Sequence, residues 1–280
     1  MISEVGNIGY GGVSILHAAG CGWGCSLPLD LTCNAEVSSS WPGEYEDPNG
    51  LLKQLPRAIE ETTGAKIHHK LGVSLKSDIP RSMGLKSSSA ACVSALRAVS
   101  EKLALQFTDY EVVDIAAKMQ IMSGCSMTGS FDDNWAALGY NTAIIDAKSD
   151  QPSHPVAHFQ MESKLCTIIL RGHRSNLPNV SEFAVNKSDF LAAKNALVSG
   201  DIDKAMRING LAVAKSTMDS EATHILTSLH SNGLTATLTG SGPCIAILHN
   251  EAQSEILDQI ISESSKRITT KVLQHPPEEE

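Results

Sequence analysis

Between Pro80 and Ala90 the chain reads Pro80-Arg81-Ser82-Met83-Gly84-Leu85-Lys86-Ser87-Ser88-Ser89-Ala90. These residue types at this spacing suit the binding of an anion. Gly84 lets backbone come close to a ligand. The serines stand at the start of a helix, where they can cap it or offer hydroxyls. The unpaired N–H groups and positive dipole end of that helix complete an anion site, and phosphate is the obvious occupant. A second polar stretch, Ser123 to Asn134, delivers the adjacent carboxylates Asp132 and Asp133 ahead of the apolar Trp135 to Leu138. A carboxylate there can accept, or simply orient, the proton of an attacking hydroxyl. Neighbouring residues diverge on a strand and lie roughly 100° apart on a helix, so the two carboxylates are not expected to share one task. A third stretch, Thr239-Gly240-Ser241-Gly242-Pro243, is a tight turn before the apolar run Cys244 to Leu248. Arg171 and Arg174 lie in a basic loop, and arginine suits bidentate contact with a carboxylate.

Periodicity predicts the elements that position these groups. Ile67, His69, Leu71, Val73 and Leu75 alternate as a half-buried strand leading into the Pro80 loop. Cys92, Leu96, Val99 and Leu103 share one face of the helix that leaves it. Strands are expected over Tyr10 to Ala19 and Leu27 to Val37, joined by the glycine loop Gly20 to Gly24. Leu51 to Thr62 reads as a helix closed by Gly64, and a further helix starts at Asp109 as N-cap. Tyr140 to Ala147 is a strand and Ser149 to Pro155 a linker, which places a lobe boundary near residue 155. In the second half, a strand is expected within Phe159 to Leu170. Helices follow over Ser188 to Ser199, Ile202 to Thr217 and Ser220 to Ser231. Apolar runs at Leu234 to Leu238 and Cys244 to Leu248 come next, then a last helix from Glu251 to Ser262. The residues from Gln274 onward read as a frayed tail.

Composition sets bounds. With 280 residues, the chain is long enough for two packed lobes. The net charge of -9 argues against sequence-independent nucleic-acid binding. No apolar run approaches the roughly 20 residues of a membrane span, and no basic start leads into an apolar core as in a signal peptide. The 7 cysteines are odd in number and scattered, as expected for free thiols in a reducing cytoplasm. Cys21 and Cys25 do not have redox-motif spacing, and adjacent His68 and His69 are poor joint metal ligands. Trp23 is expected to pack or to stack on a ring. A Walker-type nucleotide fold is excluded, because no Gly-x-x-x-x-Gly-Lys-Ser/Thr occurs.

The motif Pro-x-x-x-Gly-Leu-x-Ser-Ser-x-Ala at Pro80 to Ala90 resembles the phosphate loop of the GHMP small-molecule kinases. Lys86 stands where the usual loop residue is glycine. Gly84 to Ala90, with Thr-Gly-x-Phe-Asp-Asp at Thr128 to Asp133, resembles the archaeal-type shikimate kinases within that superfamily. Gly240-Ser241-Gly242-Pro243 resembles the C-terminal GHMP motif, a glycine turn beside the phosphate loop. The resemblance implies an α+β, two-lobed fold: a ribosomal-protein-like β-α-β N-terminal lobe over residues 1–155 and a ferredoxin-like C-terminal lobe over 156–280. It implies an ATP-dependent shikimate kinase making shikimate 3-phosphate for chorismate synthesis, with ATP and magnesium as cofactors. ATP phosphates would lie on Pro80 to Ala90 and on Gly240, Ser241 and Gly242, and magnesium on Ser88 or Ser89. Lys86 would balance charge on the transferred phosphoryl or point outward. Counting back from Gly139 makes Asp132 the catalytic aspartate; counting on from Thr128 makes it Asp133. Arg171, Arg174 and His17 are candidates for the substrate. His17 and Trp23 replace the Asn and Lys of the N-terminal family motif. The magnesium-ligating glutamate of many GHMP kinases is missing, and Met122 holds its approximate place. A GHMP kinase for homoserine, mevalonate or pantoate, and a catalytically silent GHMP-like ligand sensor, are the competing readings.

Overall fold

The computed structural model describes residues 6–38, 47, 49–67, 71–126, 128–139, 142–173, 178–262 and 265–273. Arg174, His68, His69, Tyr140 and the tail from Gln274 lie outside the described residues.

The first lobe is a 5-stranded antiparallel sheet built on one long strand. Strand β1 (Ile8–Leu16) turns through the one-turn helix α1 (Ala18–Cys21) into β2 (Trp23–Ser38). The glycine loop is thus partly helical, and β2 starts earlier than its apolar alternation indicates. One end of β2 pairs with β3 (Gly72–Ser77), the other with β4 (Thr142–Asp146), and β4 pairs with β5 (Ala157–Phe159). The sheet therefore continues to Phe159, past the boundary expected at residue 155. Helices α2 (Leu55–Thr63), α3 (Ser87–Leu103), α4 (Asp109–Met122) and α5 (Phe131–Leu138) pack with it. Helix α3 is central: Ser89 to Leu96 are all buried, and its small residues let it approach β1 and β2 closely. The N-cap of α4 is Thr108, not Asp109. The Thr108 hydroxyl accepts from Glu111 N–H while the Glu111 carboxylate takes the Thr108 N–H, a reciprocal capping box.

The second lobe contains β6 (Leu165–Ile169), helices α6 (Val180–Ala184), α7 (Lys187–Val198), α8 (Ile202–Ser216) and α9 (Ser220–Ser231), then β7 (Thr235–Leu238), β8 (Ile245–His249), α10 (Ser254–Ile260) and β9 (Arg267–Lys271). Its 4-stranded sheet runs β7-β8-β6-β9, the strand order of a ferredoxin-like β-α-β-β-α-β unit. Helix α6 and strand β9 carry no apolar periodicity that would disclose them. Edge strand β9, Arg-Ile-Thr-Thr-Lys, has one aliphatic residue and is held by its ladder to β6. The lobes share one continuous core. They are stitched by a bridge from Leu29 to Val272, by Leu273 N–H to the Pro28 carbonyl, and by the Thr270 hydroxyl to the Asp30 carbonyl.

Candidate active site

A cavity of about 520 Å³ lies where α1, α3, α5 and the two glycine turns converge. Its walls include Ser14, His17, Arg81, Lys86, Ser88, Asp132, Asp133 and Ser241.

The Pro80 to Ala90 loop is set by its contact with the second lobe. Gly84 has φ +79, and a Cβ there would lie 2.2 Å from the Thr239 carbonyl oxygen. Only glycine accepts both the left-handed backbone and that approach. Gly240 faces it, and a Cβ on Gly240 would lie 3.0 Å from Gly84 Cα. The Thr239 hydroxyl donates to the Gly84 carbonyl at 2.9 Å and accepts from Ser14 N–H at 3.1 Å, clasping the two turns to β1. The third glycine-rich stretch thus packs beside the phosphate loop as the resemblance implies. The side chain of Lys86, the N-cap of α3, makes no capping hydrogen bond among the described residues, which leaves the leading N–H groups to an anion. Gly84, Leu85, Ser87, Arg81, Ser82, Gly240 and Ser241 line the cavity; Pro80, Met83, Ser89, Ala90 and Gly242 do not. Met83 and Ala90 belong to the core instead.

Lys86 points inward. It starts α3 with φ +64, a left-handed conformation in which glycine is the ordinary occupant. Its Nζ lies 2.7 Å from Ser14 Oγ and 2.7 Å from Asp133 Oδ1. Ser14 Oγ also accepts from Gly240 N–H at 3.1 Å.

The first turn of α5 brings Asp132 and Asp133 together around one hydroxyl. Ser26 Oγ on β2 is 2.9 Å from Asp132 Oδ2 and 2.7 Å from Asp133 Oδ1. Their environments push them apart. Burial, and then the Asp133 charge, push the Asp132 carboxyl up to about 7. Burial also acts on Asp133, but the Lys86 ammonium and the Ser26 hydroxyl outweigh it and hold this carboxyl below the usual range. Room for Asp132 comes from Gly24, where a Cβ would lie 2.5 Å from Asp132 Oδ1.

Gln120, two positions before Met122 on α4, is fully buried. Its Oε1 accepts from Ser88 Oγ at 3.1 Å, and its Nε2 donates to Ser89 Oγ at 3.2 Å and to Asn134 Oδ1 at 2.7 Å. Ser89 is turned into the interior, whereas Ser88, like Ser87, reaches the cavity. A single buried amide on an otherwise apolar helix face was the available signal for Gln120. Ser14 and Ser26, each a buried serine inside an apolar strand, gave a similar one.

His17 caps α1 and lines the cavity. Its Nδ1 accepts from Ala19 N–H at 3.2 Å, so the neutral ring carries its hydrogen on Nε2, 3.4 Å from Ser241 Oγ. The ring stacks on Phe183 with centroids 4.8 Å apart. Arg171 does not reach the cavity. Its guanidinium makes a bidentate pair with Asp219, at 2.7 and 2.9 Å, and also contacts Glu221 and the Pro243 carbonyl. The Arg171 candidacy for substrate binding is therefore corrected: two carboxylates already occupy its fork. Trp23 is not on the cavity wall either, and Lys194 Nζ sits 3.5 Å over its ring.

The GHMP kinases N terminal domain model matches residues 50–139. A shikimate kinase of Methanothermobacter thermautotrophicus is 25% identical over 265 residues, covering 89% of this chain and 88% of that protein. A shikimate kinase of Thermococcus kodakarensis is 26% identical over 258 residues, covering 86% and 90%. Among solved structures, the mevalonate kinase of L. major in complex with R-mevalonate superposes with a TM-score of 0.70 at 17% identity, covering 97% of this chain and 96% of that one.

Proposed function

We propose that this chain, which belongs to the GHMP kinase superfamily, transfers the γ-phosphoryl group of ATP to the 3-hydroxyl of shikimate, giving shikimate 3-phosphate and ADP. The observation that carries the reading is Asp133. It is held ionised by Lys86 at 2.7 Å and stands on the wall of a cavity that also receives the uncapped start of α3. A phosphate donor and a hydroxyl-activating carboxylate thus face the same space. The archaeal relatives support shikimate as the acceptor.

Phosphoryl transfer asks the protein mainly for positioning and charge stabilisation. Backbone N–H groups at the start of α3 and the turn at Gly84 receive the phosphates. Asp133 accepts or orients the proton of the attacking hydroxyl. Lys86, bound to Asp133 and Ser14, keeps positive charge between base and phosphate loop. His17 bounds the acceptor side, and Ser241, 3.4 Å from its ring, joins Gly240 at the phosphates. Ser88 Oγ, on the cavity wall, is a neutral, hard oxygen that would meet magnesium, an ion that arrives with phosphates and keeps several waters. Bound there, the ion would neutralise developing phosphate charge. A cytoplasmic location accords with cysteines that are all free. No helix among the described residues is long and apolar enough to cross a membrane.

The test is ADP release with ATP and magnesium, measured side by side on shikimate, homoserine, mevalonate and pantoate. Turnover confined to shikimate is expected, with Asp133→Asn lowering kcat by about 10²–10⁴-fold while ATP still binds. Turnover on another alcohol would overturn the substrate, and ATP binding without any turnover would favour a ligand sensor.

A further inference from the structure

The contact geometry around Ser26 fixes where a proton must be. A serine hydroxyl carries a single hydrogen, yet Ser26 Oγ lies within hydrogen-bond distance of a carboxylate oxygen on each side. With both carboxylates ionised, one of these contacts would set lone pairs against lone pairs in a buried place. A hydrogen on one carboxyl satisfies both contacts. Lys86 decides which: its ammonium touches Asp133, so the negative charge belongs there and the hydrogen belongs on Asp132. The two donors to Asp133, Lys86 Nζ and Ser26 Oγ, both land on Oδ1, so that Oδ2 is the oxygen left to face an incoming hydroxyl.

We propose that Asp132 and Ser26 are positioning residues for the base: Asp132 donates its carboxyl hydrogen to Ser26, which donates its own to Asp133 Oδ1, keeping Asp133 ionised with Oδ2 toward the acceptor alcohol. This inference rests on the kinase reading and says how that base is prepared. The shifts of the two carboxyls, Asp132 upward and Asp133 downward, agree with it. The hydrogen on Asp132 also leaves the α5 pair with a single negative charge, and that one is paired with Lys86. The titratable groups around Asp132 are Asp133 on α5, Lys86 at the start of α3, Cys25 on β2 and, beside Asp133, His17 ahead of α1. Cys25 stays neutral, because burial pushes its thiol well up. As pH rises, Asp132 loses its hydrogen. Ser26 must then divide one hydrogen between two anions, and a second negative charge meets the triphosphate. Activity should fall on the alkaline side for that reason.

The experiment compares pH profiles of kcat/KM for the full chain and for Asp132→Asn, Asp133→Asn and Ser26→Ala. In Asp132→Asn the amide N–H replaces the carboxyl hydrogen, so turnover should stay within about tenfold of the parent, against about 10²–10⁴-fold lost in Asp133→Asn. The alkaline fall of the parent should be absent from Asp132→Asn. Ser26→Ala should lower kcat, leave KM for ATP unchanged and move the acid limb to higher pH, since Asp133 loses a donor. Asp132→Asn as inactive as Asp133→Asn, or with the parent's alkaline limb, would overturn the proposal. Infrared difference spectra, parent minus Asp132→Asn at pH 6, give an independent reading. A protonated-carboxyl band is expected, and its absence overturns the proposal even if the chain shows no kinase turnover.

Discussion

Lys86 is the residue on which the chemistry of the site turns. Its loop position ordinarily belongs to glycine, and the left-handed backbone at φ +64 shows why. The strain is offset by a buried ammonium that reaches Ser14 and Asp133 at once. The sign of its influence is definite. Lys86 favours ionised Asp133, so this carboxyl stays charged further into acid than an isolated one. In Lys86→Met the Asp133 carboxyl should rise, and kcat/KM should fall more steeply at pH 5 than at pH 8. A uniform loss across that range in the measured profile would mean that Lys86 acts on phosphate alone. At this scale the sequence showed the carboxylate pair but not its partners. Ser26 and Asp132 are 106 positions apart, and a serine in a strand carries no mark of the partner it will meet.

The elements show what a loop needs in order to stay open to a ligand. The phosphate loop is not held by its own strand, which ends at Ser77. It is held by the turn after β7, through the Gly84 and Gly240 contact and the Thr239 hydroxyl. Gly84→Ala should therefore push the loop off that turn. The expected result is loss of ATP affinity by at least about tenfold, read by calorimetric titration, with far-ultraviolet dichroism retained; the backbone conformation alone costs about 1–2 kcal/mol. Retained affinity would show that the two turns are merely adjacent. Helices α7, α8 and α9 were legible because their apolar faces repeat. Strand β9 was not, because an edge strand is specified by its neighbour's unpaired backbone rather than by its own side chains.

At the scale of the whole molecule, the cavity exists because two lobes share a core, and the polar ties near it are structural. Arg171 follows β6, caps the charge of Asp219 at the start of α9 and holds the Pro243 carbonyl beside the second glycine turn. Asp219 is held below the usual carboxylate range by this pair. Arg171→Met should lower stability by about 1–3 kcal/mol, as hydrogen bonds to charged groups do, measured by urea unfolding. KM for the acceptor should stay within about twofold, because the guanidinium does not line the cavity; a larger rise in KM with unchanged stability would return Arg171 to substrate binding.

Local order by itself determined the phosphate loop, the helix it begins, the carboxylate pair and the second glycine turn. Each rests on neighbours a few positions apart, where spacing dictates which side chains share a face. Tertiary structure alone decided that Lys86 points inward to Asp133, that Gln120 ties Ser88, Ser89 and Asn134 together, and that Arg171 belongs to Asp219. Each of those outcomes depends on which charge or hydroxyl arrives from a distant segment. In a buried site the partner that arrives fixes the protonation and direction of a polar group, because water is not there to do so.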